Sequence, residues 1–495
     1  MMRSLYSGVS GLKNSQTRMD VIGNNIANVS TVGFKKSRVI FKDTLYQTLK
    51  SASSPIEGSQ GGTNATSVGL GMSVASIDQI TTGSTTSTTD VATDLAISGD
   101  GYFILGNGDQ TYYTRAGNFT FDVNGDLISG TNSFNVLGCN ATAETTDEGA
   151  VITFTPDGQA TDKISIKDFA TLAPKSTETM TFAKNLNSAA EVPQIGDPAA
   201  NIDPTDTTQF PGENEYVPTS KTVYNSLGEE TTVYFRFYKT GTSGADPDAR
   251  TNWACDISLD PNFQDDTDYT AADFTETVDL TTATEDTPAA ATLSNTTGHE
   301  ITRVYNLQFN ENGTIPDPTD SPWLSQFQLT VVGVPDATAT TTSAVDRDIV
   351  ATVDFNGLTQ YDSESTAWVE SQDGYAKGSL KEYSIGADGI VTGIYDNEQK
   401  LSLAQVNMAS FQNANGLQQV GGSVYRVTVN SGDAQKNKPG SDGLGTLIPG
   451  SLEQSNVDLS EEFTSMIVTQ RGFQANSRII TTSDEMLQEL VNLKR

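Results

Sequence analysis

The sequence predicts a mainly β protein carried on terminal α-helices, with nested antiparallel β domains on a coiled-coil-like pair formed by the N- and C-terminal helices. Three observations predict it. Apolar residues recur every seven positions at both ends of the chain, and short alternating runs between them are punctuated by Asn-Gly and Asp-Gly pairs. Of the 17 prolines, 14 fall between residues 146 and 355.

The first helix follows from Leu5, Leu12, Met19 and Ile26, widened by Val9, Ile22 and Val29 and interrupted by Gln16 and Gly23. No proline intervenes from Met2 to Asn28, so one helix of roughly 25 residues, ~38 Å long, is expected. Ser4, Ser7, Gly8, Ser10 and Gly11 permit close approach of a neighbour. At its end comes "NNIANVSTVGFKKS". Asn24, Asn25 and Asn28 are placed to bond the last carbonyls, and Gly33 supports a turn. Lys35 and Lys36 either offset the helix dipole or meet acidic neighbours, with solvated lysines the plain alternative.

Residues 31–70 and 431–455 are rich in Gly, Ser and Asn and read as extended connectors. Between them one local arrangement returns four times: "FDVNGDL" at Phe121, "FTPDGQA" at Phe154, "FNENGTI" at Phe309 and "IGADGIV" at Ile385. Such dipeptides supply the positive φ angles of tight hairpins. "TTVYFRFYKT" alternates, placing Val233, Phe235 and Phe237 on one face. An inner β domain is expected from 71–145 with 356–430, and an inserted outer β region, one or two domains, at 146–355. Sandwiches or barrels suit this pattern.

The second helix carries Leu459, Met466, Phe473, Ile480 and Leu487 seven apart, with Phe463, Leu490 and Val491 beside them. Asp458 is its N-cap, and Glu461 completes a capping box. The companion positions Gln470, Ser477 and Asp484 are polar. Each stripe is narrower than the face a globular helix buries, and neither helix overcomes its nucleation cost alone. Two packings answer that need: an intramolecular pair closing one domain (1–30 with 456–495), or a wall built with copies from other subunits. The polar companions and the terminal placement favour the second. The expected interface is Leu5, Val9, Leu12, Met19, Ile22, Ile26, Phe463, Met466, Phe473, Ile480, Leu487, Leu490 and Val491.

Charge narrows the function classes. The 495 residues carry a formal net charge of −33. Nothing in such a balance releases phosphate counterions, so no nucleic-acid partner is expected, and an anionic membrane surface is disfavoured. Yet residues 1–50 hold Arg3, Lys13, Arg18, Lys35, Lys36, Arg38, Lys42 and Lys50 against Asp20 and Asp43, a net +6 that leaves −39 for the rest. The head and the body differ chemically. No apolar run is long enough for a membrane span, and Lys13, Arg18 and Asp20 interrupt any signal-peptide core.

Catalytic and cofactor patterns are not found. Cys139 and Cys255 form no metal-spaced cluster. His299 is the single histidine, read as a surface loop residue, so no His-based triad or cluster can be assembled. "DVNGD" from Asp122 lacks the spacing and terminal Glu of a calcium loop, and "SGDGYF" lacks the strand–helix setting of a phosphate loop. No enzyme, metal or cofactor is expected.

"SGVSGLKNSQTRMDVIGNNIANVSTVGFKKSRVIF", "LAISGDGYFIL", "YTRAGNFTFDVNGDLIS" and the ending "GSLEQSNVDLSEEFTSMIVTQRGFQANSRIITTSDEMLQELVNL" resemble the bacterial flagellar rod and hook proteins. The signature falls on Asn24, Asn25, Asn28, Gly33, Phe34, Gly99, Gly101, Phe103, Arg115 and Gly117. The large insert, with "TVYNSLGEETTVYFRFYK", "VDFNGLTQY" and "QDGYAKGSL", resembles that of the hook branch. The resemblance implies a homopolymer: a curved, flexible helical tube joining rod to filament around the export channel. It also implies distal rod, hook cap, hook-filament junction and type III export proteins as partners, an extracellular place in the flagellum, and export without a cleaved signal. In spirochaetal hooks a Cys is cross-linked to a Lys of the next subunit; Cys139 and Cys255 sit in no matching motif, and a plain buried cysteine is expected. The alternatives are a rod component, opposed by the insert, and a secreted β-rich adhesin, opposed by the matched terminal helices.

Overall fold

A computed structural model of the chain describes residues 2–55, 61–146, 149–155, 162–193, 216–243, 250–260, 263, 273–282, 289–294, 300–316, 325–332 and 348–492. His299 and the Asp157–Gly158 pair lie outside them.

The terminal helices are Met2–Ala27 (α1) and Leu459–Asn492 (α2). They pack on each other within the chain, antiparallel, since Gly8 lies against Ile480 and Gly11 against Asn476. Beside α1, strand Ser37–Asp43 pairs with Met72–Gln79, and Tyr46–Lys50 pairs with Thr66–Gly69 in a hairpin exposed along both strands. Asparagines seat α1 on the first of these ribbons. Asn14 Nδ2 donates to the Met72 carbonyl at 2.7 Å, and Asn25 exchanges two bonds with Ser37, at 2.8 and 3.0 Å.

The inner β domain holds a fourteen-stranded sheet whose main path runs from Thr171–Leu172 through Gly378–Ile385, Ile390–Tyr395, Lys400–Val406, Asn135–Asn140, Tyr102–Asn107 and Gln110–Thr114 to Val424–Arg426 and Gln418–Gly421. Its core gathers Leu95, Phe103, Leu105, Leu127, Val136, Val391, Val406 and Met408. Two of the expected hairpins are present. Gly125 (φ +79°) turns Phe119–Phe121 into Leu127–Ser129, and Gly389 (φ +80°) turns Gly378–Ile385 into Ile390–Tyr395. Gly313 (φ +78°) closes a turn after strand Ile301–Phe309, its amide donating to the Asn310 carbonyl at 2.9 Å, and Thr314 beyond it bridges to Thr359.

The outer domain is a sandwich of two five-stranded sheets. One is ordered Ala289–Ser294, Gln326–Val332, Ile349–Tyr361, Thr179–Asn187, Trp368–Gln372; the other Val217–Tyr224, Glu230–Ser243, Arg250–Ser258, Ile301–Phe309, Phe274–Asp279. Val233, Phe235 and Phe237 share the buried face, as their alternation requires. Phe182 stands at the centre, its ring 5.0 Å from Phe235, 5.5 Å from Phe237 and 5.0 Å from Phe355. Three pairings are parallel rather than antiparallel. Parallel neighbours need long crossovers, and strands Thr179–Asn187 and Ile349–Tyr361 have most of the domain's chain between them.

The sheets divide the chain near residues 175 and 375, where the sequence expectation put 146 and 355. Proline density marks loops, not sheet membership: Ile349–Tyr361 and Trp368–Gln372 pair outward, while Asp162–Lys163 and Thr171–Leu172 pair inward. At the division the two crossing segments touch. Lys175 and Tyr375 form a β-bridge, and Lys175 Nζ meets Asp373 Oδ2 at 2.8 Å.

Candidate assembly interface

The seam between α1 and α2 is built from small and polar residues. Ile22, Ser15, Glu462, Thr469 and Ser483 are buried there, and Ser4 Oγ lies 3.4 Å from Ser483 Oγ. A Cβ on Gly11 would stand 2.6 Å from Asn476 Nδ2, so glycine sets the approach. The seven-spaced residues Leu5, Leu12, Met19 and Ile26 on α1, and Met466, Phe473, Ile480 and Leu487 on α2, are half-buried along this seam. Of the expected interface set, Val9, Phe463 and Val491 are at least half exposed.

The exposed apolar surface also includes residues that the heptad reading missed: Tyr6, Ile467, Val468 and Met486, together with Ile479, whose Cγ2 would stand 3.6 Å from a Cβ on Gly8 at the edge of the seam. Leu459, at the head of the stripe, is exposed as well. The signal was present. Val468, Ala475, Ile479 and Met486 follow a 7-4-7 spacing, a second stripe on α2 turned about 140° from the first.

Where the helices meet the β body, buried charges tie three chain segments together. Lys35 and Glu453 are 1% and 0% exposed and stand 2.6 Å apart, Nζ to Oε1. Lys35 also donates to the Thr82 carbonyl at 2.8 Å, and the Ser84 amide donates to Glu453 Oε1 at 3.2 Å. Arg115, also buried, reaches Glu453 Oε2 at 3.5 Å and the Gly99 carbonyl at 2.9 Å. Asp100, 3.9 Å from Arg115, is almost fully exposed and its charge is screened. Burial holds the Lys35 ammonium below its ordinary value, against the opposing pull of Glu453. Burial likewise pushes Tyr102, under the Arg115 guanidinium, up to about 12.

Around this node the backbone is fastened as well. Gly33 (φ +67°) packs on the Arg115–Ala116 backbone and its amide donates to the Glu453 carbonyl at 2.9 Å. The Lys36 amide donates to Asn456 Oδ1 at 2.7 Å, and Asn456 Nδ2 donates to the Ile80 carbonyl at 2.8 Å. Asp458 caps α2 through the Ser460 amide at 2.8 Å. Glu461 does not close the capping box: its carboxylate takes the Lys36 ammonium at 2.7 Å. Both lysines of "FKKS" thus meet acidic neighbours. Asn28 Nδ2 does bond a helix-end carbonyl, that of Asn24, at 2.9 Å.

Other signature residues serve the backbone. Gly99 and Gly101 take φ of +113° and +133°, and a Cβ on Gly117 would stand 1.7 Å from the Leu95 carbonyl oxygen. Phe103 is core, and Phe34 is half-buried. Cys255 is buried and Cys139 half-buried; neither forms a disulfide.

Four family models match in chain order: the flagella basal body rod protein at 5–35, the flagellar hook protein FlgE/F/G D1 domain at 96–168, the flagellar basal body protein FlaE D2 domain at 185–375, and the flagellar basal body rod FlgEFG protein C-terminal at 448–493. The chain is similar along its whole length to the flagellar hook protein FlgE of Borreliella burgdorferi, at 37% identity and full coverage of both chains, and to that of Treponema pallidum, at 35% and again full coverage. The chain belongs to the flagellar hook protein family. The flagellar basal-body rod protein FlgG of Bacillus subtilis is also similar, at 30% identity over both full lengths. The hook relatives' higher identity sets the rod alternative aside, and the adhesin reading goes with it. This hook protein is therefore a structural subunit of the flagellum. Its D2 match, 185–375, coincides with the outer sandwich.

Proposed function

We propose that the hook protein polymerises into a curved, flexible tube through the outer flanks of its helical pair, with α1 and α2 lining a central export channel and the β domains forming the outer wall. The observation that carries this reading is the second apolar stripe of α2. Val468, Ile479 and Met486 are 44–60% exposed although they belong to a helix already paired within its own chain. Narrow seams on a pair that still presents apolar flanks suit packing among many copies. Leu5, Leu12, Met19, Phe473, Ile480 and Leu487 shape the pair, while Tyr6, Val9, Phe463, Val468, Ile479, Met486 and Val491 meet its neighbours. The outer wall slides on polar, hydrated contacts, because dry apolar ones would fix a single curvature.

Distal rod, cap, junction and export proteins are the partners of such a subunit. Export proceeds without a cleaved signal, and the role is structural rather than catalytic. The test is Val468→Asp in the full chain, a position 60% exposed on the flank, salted out and followed by light scattering and electron microscopy. Loss of tubes with unchanged tryptophan fluorescence is expected; tubes at the normal yield would overturn the interface.

A further inference from the structure

We propose that Lys35, Arg115 and Glu453 form a latch that lets α1, through the neck at residues 33–36, dock on the inner β domain only after Glu453, in the last tenth of the chain, has arrived. The two cations come from the first quarter of the sequence, and their shared anion lies 338 residues beyond Arg115. All three side chains are at most 2% exposed. Docking residues 33–36 on the Arg115–Ala116 backbone brings the Lys35 ammonium and the Arg115 guanidinium out of water together. Among the described residues, Glu453 is the only buried carboxylate touching either.

Without that carboxylate, closure would bury two like charges with one exposed Asp100 nearby. Breaking a buried pair by removing one partner is strongly unfavourable, because a charge is left desolvated and uncompensated. The neck of an incomplete chain therefore stays open. When residues 451–456 arrive they bring the Glu453 carboxylate, the Glu453 carbonyl for the Gly33 amide and Asn456 for the Lys36 amide in one step. Closure is thus conditional on the far end of the chain, and a half-delivered subunit cannot set α1 against the body.

The latch makes a prediction that a plain hydrogen-bonded anchor does not. Glu453→Gln keeps the shape but leaves two buried cations facing each other. Lys35→Met added to it removes one cation, so the double variant should close better than the single. Hydrogen–deuterium exchange of the full-length monomer, read on the peptide containing the Gly33 and Lys36 amides, reports closure directly. Exchange should rise about 100-fold or more in Glu453→Gln and fall back at least about tenfold in the double variant. Lys35→Met alone, which leaves Arg115 paired with Glu453, should stay within about threefold of the parent. Unchanged exchange in Glu453→Gln, or a double variant that opens as far as the single, would overturn the latch. If Glu453→Gln fails to fold, Lys35→Met decides: a tenfold loss of protection there overturns it. None of these readings depends on polymerisation, so they stand apart from the fate of Val468→Asp.

Discussion

Gly33→Ala should loosen the neck between helices and body. The residue sits at φ +67°, where an L side chain costs about 1–2 kcal/mol. Its new Cβ would lie 2.6 Å from the Ala116 nitrogen and 2.7 Å from the Arg115 carbonyl carbon. Both are backbone atoms that cannot swing aside, and such overpacking adds about 1–3 kcal/mol. Relief requires residues 33 and 115 to separate, which pulls the Gly33 amide away from the Glu453 carbonyl. The expected loss is roughly 2–5 kcal/mol, a fall of roughly 1–2 M in the urea midpoint. Helical ellipticity reports the terminal pair, whereas Trp253 and Trp368 sit in strands of the outer sandwich and Trp323, the third tryptophan, lies outside the described residues. The ellipticity transition should move and the fluorescence transition should not. Gly23→Ala is the control, because nothing lies within 4 Å of its added Cβ and a mid-helix glycine costs about 0.5–1 kcal/mol. Equal responses at the two glycines, or a fluorescence transition that moves with the ellipticity, would refute the reasoning.

Phe182→Ala should behave in the opposite way, costing about 3–5 kcal/mol of outer-domain stability through the cavity left among Phe235, Phe237 and Phe355. Tryptophan fluorescence in urea would reveal it, with polymerisation through the helices retained. Alkali should weaken the inner domain. Tyr102 and Tyr395 are both pushed up to about 12 by burial, so the stability they contribute is complete below the ordinary tyrosine value near 10 and lost as the pH rises to about 12. Lys35, held low by burial, contributes the opposite slope below its unfolded value. Tyr395→Phe should flatten the alkaline decline in urea midpoint; an unchanged slope would show that this tyrosine does not govern it.

The sequence was most legible where one residue's neighbours decide its fate. Alternation alone placed Val233, Phe235 and Phe237 inside, and Asp458 capped α2 as its position demands. It was least legible where partners are remote. Lys35 and Lys36 look alike in "FKKS", yet one is buried on Glu453 and the other partly exposed on Glu461, partners 418 and 425 residues away that no local pattern could assign. The heptad count found the residues that line the seam of the helices but favoured copies from other subunits as what they face, whereas α1 and α2 pack on each other within the chain. Gly8, Gly11 and Ser483 make that seam close and narrow, which leaves Val468 and Met486 exposed on the flank. Glu461 would cap α2 in an isolated helix; the nearby Lys36 ammonium competes successfully for it.

The bridge between Lys175 and Tyr375 makes the outer sandwich a detachable cassette. Chain enters and leaves it at adjoining points already pinned by the Lys175–Asp373 ion pair, 2.8 Å long. Whatever is spliced there must only return to where it began, and lengthening a closed loop costs little: about 0.6 kcal/mol for each doubling. The same scaffold can therefore carry caps of very different size, or a foreign domain displayed on its outside, without altering the contacts at its axis.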